Sequence, residues 1–137
     1  MSEDESLRYP IGKENEQEAH GVEFNEQLKS SLIIDIKMLP SSLEYAIQNL
    51  DVAQLETPYR PNGWTVQQLV HHIADSHLNA YTRFKLGLTE ENPVIKPYDQ
   101  EAWANLPETK ELPVNISITL LHALHIRWCQ CLNDMSE

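Results

Sequence analysis

The densest run of chemically capable side chains is Val70-His71-His72-Ile73-Ala74-Asp75-Ser76-His77, which carries three of the six histidines in the sequence. Neutral imidazole is the commonest protein metal ligand and an effective proton acceptor near neutral pH, so this run is the first candidate for metal or proton chemistry. On a helix the three rings diverge at about 100° per residue. His77 falls among Ile73, Tyr81 and Phe84 and reads as a packed core histidine with one hydrogen bond. His71 points toward solvent and reads as a surface residue. His72 sits at the edge of the apolar stripe with Ser76, Asn79 and Arg83, the one position of the three that easily faces a polar pocket. Spacing alone does not make it a ligand, because no His-Glu-x-x-His pair or comparable helix motif accompanies it.

A second constellation is His122, His125 and Cys129, whose i, i+3 and i+7 spacing brings them to one side of a helix. The donor set suits zinc, but His125 and Cys129 border an apolar stripe, and packing there is the simpler reading. Cys129 and Cys131 point in nearly opposite directions on a helix, so they neither bridge nor chelate together. No glycine-rich phosphate loop, Gly-x-Ser-x-Gly elbow or paired-cysteine zinc signature occurs. Asn115-Ile116-Ser117 matches a glycosylation sequon but has no consequence without a secretory signal.

The elements that must carry these residues are helices. Leu28, Leu32, Ile36, Leu39, Leu43, Ile47 and Leu50 advance by threes and fours, which predicts an amphipathic helix over about 25–50, kinked at Pro40, with Ser41 and Glu44 able to cap a restart. Two prolines and an Asn-Gly pair make 57–64 an ordered or extended loop. Thr65 and Gln68 then form a capping box for a second helix ending near Gly87, with Val66, Leu69, Val70, Ile73, Ala80, Tyr81, Phe84 and Leu88 as its stripe. The stretch from Pro93 to Pro113 reads as loop, pinned by Tyr98 and Trp103. A third helix over about Ile116 to Asn133 turns Leu121, Leu124, Trp128, Leu132 and Met135 inward. Three amphipathic helices without a convincing strand predict an all-α bundle, whose cofactor sites form among side chains on facing helices.

A length of 137 residues, 41% of them hydrophobic, fits one domain with a modest core. A net charge of −11 repels phosphate backbones and anionic membranes, so nucleic-acid and membrane partners are not expected. Acidic residues crowd the start, which predicts a loosely ordered arm over 1–24 ahead of a helical domain over 25–137. Met1-Ser2-Glu3-Asp4-Glu5 is unlike a signal peptide and no run reaches spanning length, so a cytoplasmic protein is expected.

Thr57-Pro58-Tyr59-Arg60, Gly63-Trp64-Thr65-Val66, the histidine run, Tyr81, Arg83-Phe84-Lys85-Leu86 and Leu88-Thr89-Glu90 together resemble the YfiT branch of the DinB-like family. Pro93, Ile95, Pro97-Tyr98-Asp99 and Trp103 extend the likeness, as do Tyr9-Pro10-Ile11-Gly12, Leu121, Leu124-His125 and Arg127-Trp128. The resemblance implies three long helices of a four-helix up-and-down bundle. It implies one divalent metal, zinc or nickel, held by three histidines, of which the one eight residues after the tryptophan is His72. The family's other two ligands form a His-x-x-x-His pair on a terminal helix. That pair is absent from this sequence, so the likeness implies truncation at the C-terminus relative to the family. The implied activity is metal-dependent hydrolysis, or transfer of a low-molecular-weight thiol such as bacillithiol to an electrophilic small molecule, in a cytoplasmic homodimer. Ser76 and Asn79 would support His72 or the substrate, and no catalytic residue is assigned. The alternative is an inactive remnant or a helical self-association module without metal.

Overall fold

The structure, a computed structural model, describes residue 7 and residues 23–135. The acidic arm expected over 1–24 lies outside these residues apart from Leu7, Glu23 and Phe24. The helices, in order, are α1 (Glu26–Ile47), α2 (Val52–Leu55), α3 (Val66–Thr89), α4 (Gln100–Ala104), α5 (Pro107–Glu111) and α6 (Val114–Asn133). No extended strand forms among the described residues; a single isolated bridge joins Pro58 to Thr65.

Helix starts are set by side-chain oxygens that accept otherwise unpaired backbone N–H groups. Asn25 accepts from Leu28 N at 2.9 Å, and Asp51 with Gln54 and Thr65 with Gln68 close complete capping boxes. Pro40 lies inside α1 without ending it, and the Ser41 restart does not occur. Proline lacks the N–H that would bond the carbonyl four residues back, so the Ile36 carbonyl has no helical donor. The Nδ1–H of His125 fills that place.

The long helices form a row. α6 lies between α1 and α3, packing against both, while no Cα pair within 8 Å joins α1 to α3. The core accordingly follows α6, where Leu121, Leu124, Trp128 and Leu132 are all buried, as their spacing predicts. On α1 the covered positions are Ile33 and Pro40, whereas Leu32, expected inward, is 48% exposed. Phe84 and Leu88 of α3 are likewise exposed at 39% and 48%. An apolar stripe is buried only where a neighbour covers it, and α1 and α3 each meet α6 along one edge. Phe24, Leu32, Ile33, Ile36, Phe84, Leu132 and Met135 line an apolar groove of about 550 Å³ beside this row.

The stretch read as loop between Pro93 and Pro113 contains α4 and α5, which fold onto the outer side of α3. Asp99 caps α4 and Pro107 opens α5 at its first position, where a missing N–H costs nothing. Tyr98 and Trp103 do meet, with ring centroids 4.6 Å apart.

Candidate functional site

The loop before α3 places the first wall of the site. Asn62 adopts a left-handed conformation with φ 56°, which asparagine tolerates better than most residues. A Cβ on Gly63 would come within 2.6 Å of the Arg60 Cγ and 3.1 Å of the Arg60 carbonyl oxygen. Tyr59 N donates to Trp64 O at 3.0 Å and Val66 N to Thr57 O at 3.1 Å, closing the turn. Trp64 is thereby held at the mouth of α3, its Nε1 donating to Glu101 Oε2 at 2.9 Å.

His72 meets Trp64 edge-on, with centroids 4.7 Å apart at 62°. The ring is half-buried, burial lowers its pKa, and neither ring nitrogen is hydrogen-bonded among the described residues. It is therefore neutral at pH 7 with a nitrogen lone pair, the form in which imidazole binds a metal. Asn79 turns its amide back to the Asp75 carbonyl of its own helix at 2.8 Å. Ser76 lies by Tyr98, whose buried hydroxyl has no hydrogen bond of ordinary geometry. Burial raises the Tyr98 pKa and Asp75 adds to the rise, while Ser76 and Arg83 oppose it. Burial also raises the Asp75 carboxyl, reinforced by Glu108 and opposed by His71.

His71, expected at the surface, is instead 5% exposed. Its Nε2 donates to Leu112 O at 2.9 Å, since a carbonyl can only accept, and its Nδ1 then accepts from Ser117 Oγ at 2.7 Å. The correction has a simple cause: α4 and α5 cover a second face of α3 that a one-stripe reading leaves in water. His71 thus ties three elements together and has no lone pair left for a ligand.

His77 is packed as expected and hydrogen-bonded, Nδ1 to His125 Nε2 at 2.7 Å, with the ring planes 15° apart and the centroids 4.9 Å apart. Trp128 stands edge-on to both. The pairing was not visible in the sequence, where the two residues lie 48 positions apart. The one available signal was Pro40, which leaves a carbonyl seeking a donor. The trio His122, His125 and Cys129 does not converge: His122 Nε2 meets Glu44 Oε2 at 3.0 Å, and Cys129 Sγ donates to Ile33 O at 3.8 Å. Both cysteines are free thiols.

No three His, Cys, Asp or Glu side chains among the described residues come together as a metal site. A catalytic zinc takes three protein ligands and an open position, so these residues alone do not fit one. His72 is a single available donor. No helix among the described residues is long and apolar enough to cross a membrane.

Comparison with known proteins gives a consistent picture. The sequence is 52% identical over 129 residues to a Bacillus cereus (strain AH820) protein named as a candidate metal-dependent hydrolase, covering 94% of this protein and 72% of the relative. The same figures hold for a like-named protein of Bacillus thuringiensis subsp. konkukian (strain 97-27). Among solved structures it matches YfiT from Bacillus subtilis, described as a probable metal-dependent hydrolase with an unusual four-helix bundle topology. That match has a TM-score of 0.87 at 42% identity and covers 96% of this protein and 73% of YfiT. The DinB superfamily model matches residues 36–137, and with these likenesses of sequence and fold the chain belongs to the DinB superfamily.

Proposed function

We propose that the protein is a metal-dependent hydrolase of the DinB type, in which His72 supplies one ligand to a divalent cation and the other donors come from outside residues 23–135. The observation that carries this reading is the His72 ring: half-buried, neutral, braced by Trp64, and with both nitrogens free of hydrogen bonds among the described residues. The names of the 52% identical relatives and of YfiT support it. Zinc or nickel held there by His72 and the further donors would supply Lewis acidity.

The finer proposal is thiol S-transfer, in which a low-molecular-weight thiol such as bacillithiol attacks an electrophilic small molecule in a cytoplasmic homodimer. Ser76 and Asn79 flank His72 along α3 and would steady the ligand or substrate.

The test is metal analysis of the dialysed full-length protein beside His72→Ala. Near-stoichiometric zinc or nickel in the native protein, lost in the variant while its helical content stays, supports the reading. A native protein that takes up neither metal defeats it. Turnover of an ester and amide panel, against an electrophile supplied with a thiol, then separates hydrolysis from transfer; thiol-independent turnover removes the transferase.

A second reading, a metal-free helical self-association module, is favoured by the apolar groove lined by Leu32, Phe84 and Met135. A metal-free oligomer would carry it.

A further inference from the structure

The His77–His125 pair has a direction built into it. The Ile36 carbonyl can only accept, so the His125 nitrogen facing it, Nδ1, carries a proton. In a neutral imidazole the other nitrogen is then bare, and His125 Nε2 must accept. The donor 2.7 Å away is His77 Nδ1, which is therefore protonated. His77 Nε2 is left as a lone pair, and no hydrogen bond from a described residue reaches it. The sequence of constraints begins at Pro40, whose missing N–H is what frees the Ile36 carbonyl for His125.

We infer that Pro40, Ile36 and His125 form a directed relay that locks His77 as its Nδ1–H tautomer and presents Nε2 as a half-buried acceptor for a hydroxyl, thiol or water proton. His125 is the positioning residue and His77 Nε2 the accepting atom. His77 stands five residues beyond His72, about a turn and a half along α3. Burial, then the charge of His125 and then that of His72, hold His77 down to about 4, so the acceptor stays neutral at pH 7. The role as acceptor for the attacking nucleophile rests on the reading of His72 as a metal ligand; the tautomer assignment does not.

Three features make this more than packing. Both imidazoles are held in the form usually less populated in water, each by a partner that leaves no choice. The edge-on contacts of both rings with Trp128 fix the ring planes. The bare nitrogen is the one group of the relay without a partner among the described residues.

Imidazole nitrogen and carbon shifts, read by NMR on the metal-free full-length protein at pH 7, test the relay. Expected are two Nδ1–H tautomers, for His77 and His125. A His77 carrying its proton on Nε2, or a cation at either ring, overturns it. In His125→Leu, His77 loses its acceptor and should revert toward the Nε2–H form. That variant also strands the Ile36 carbonyl, and the double variant Pro40→Ala/His125→Leu restores a backbone donor there, keeping the test in a folded protein. A His77 tautomer unchanged in the folded double variant refutes the relay, whereas a purely structural role for His125 predicts no change. Because no metal is added, failure here is distinct from failure of metal uptake at His72.

Discussion

His71 has both ring nitrogens bonded and, among the described residues, His72 has neither, though a single peptide bond separates them. The first is a tie between elements and the second is the ring proposed above to hold a metal. Replacing His71 by alanine leaves Ser117 Oγ without its partner and Leu112 O with Gln67 Nε2 alone, and should lower unfolding free energy by about 1–3 kcal/mol in urea titration. A loss well under that range would mean water replaces the ring. The paired rings of His77 and His125 give a second expectation. His77 is held at about 4 against 6.5 for the free group, and burial lowers His125 as well. The unfolded protein therefore takes up protons on these two rings first as pH falls, so the pair's contribution to stability is level above about 7 and is lost from 6.5 toward 4. The urea midpoint should drop between pH 7 and 5. An undiminished slope in His77→Gln would contradict this assignment.

Gln68 shows how much one helix start can organise. Its side-chain oxygen accepts from Thr65 N at 3.0 Å and its Nε2 donates to Ala104 O at 2.7 Å, so the capping box also anchors α4. Gln67 adds bonds to Lys110 O and Leu112 O. In Gln68→Ala the 100–111 segment should exchange backbone amide hydrogens faster while α6 keeps its protection, with a stability loss of about 1–3 kcal/mol. Equal exchange in both would show that α4 and α5 are held by other contacts. The Thr65-x-x-Gln68 box is legible directly from spacing, because its bonds are local. The two five-residue helices are not, since so short a segment displays no apolar period. Their signals were Asp99, Pro107 and the rarity of structureless loops of about twenty residues in compact domains.

In the molecule as a whole, α6 is the shared wall and α1 and α3 are its flanks. That arrangement explains why the apolar spacing of α6 translated directly into burial and that of α1 only in part. Leu121 is fully enclosed at 0% exposure, and Leu121→Ala should cost about 2–5 kcal/mol in denaturant titration. Leu32→Ala, at a position the spacing ranks equally, should cost about 1 kcal/mol or less. Comparable losses would show that something covers the groove in solution. The relation between the long helices is likewise a property of the assembled row: consecutive rods α1 and α3 are not neighbours, and no local pattern encodes that.

Periodicity, caps and the proline- and glycine-bearing loop before α3 were enough to place three long helices, because each depends on neighbours within a few positions. The likeness across nearly the whole sequence was enough to indicate the superfamily. Assembly determined which stripe is covered, that His71 is enclosed, and that the carbonyl freed by Pro40 in α1 is met by His125 in α6. Burial and polar pairing join groups far apart in the sequence, so the same helix face is core or surface according to what packs against it.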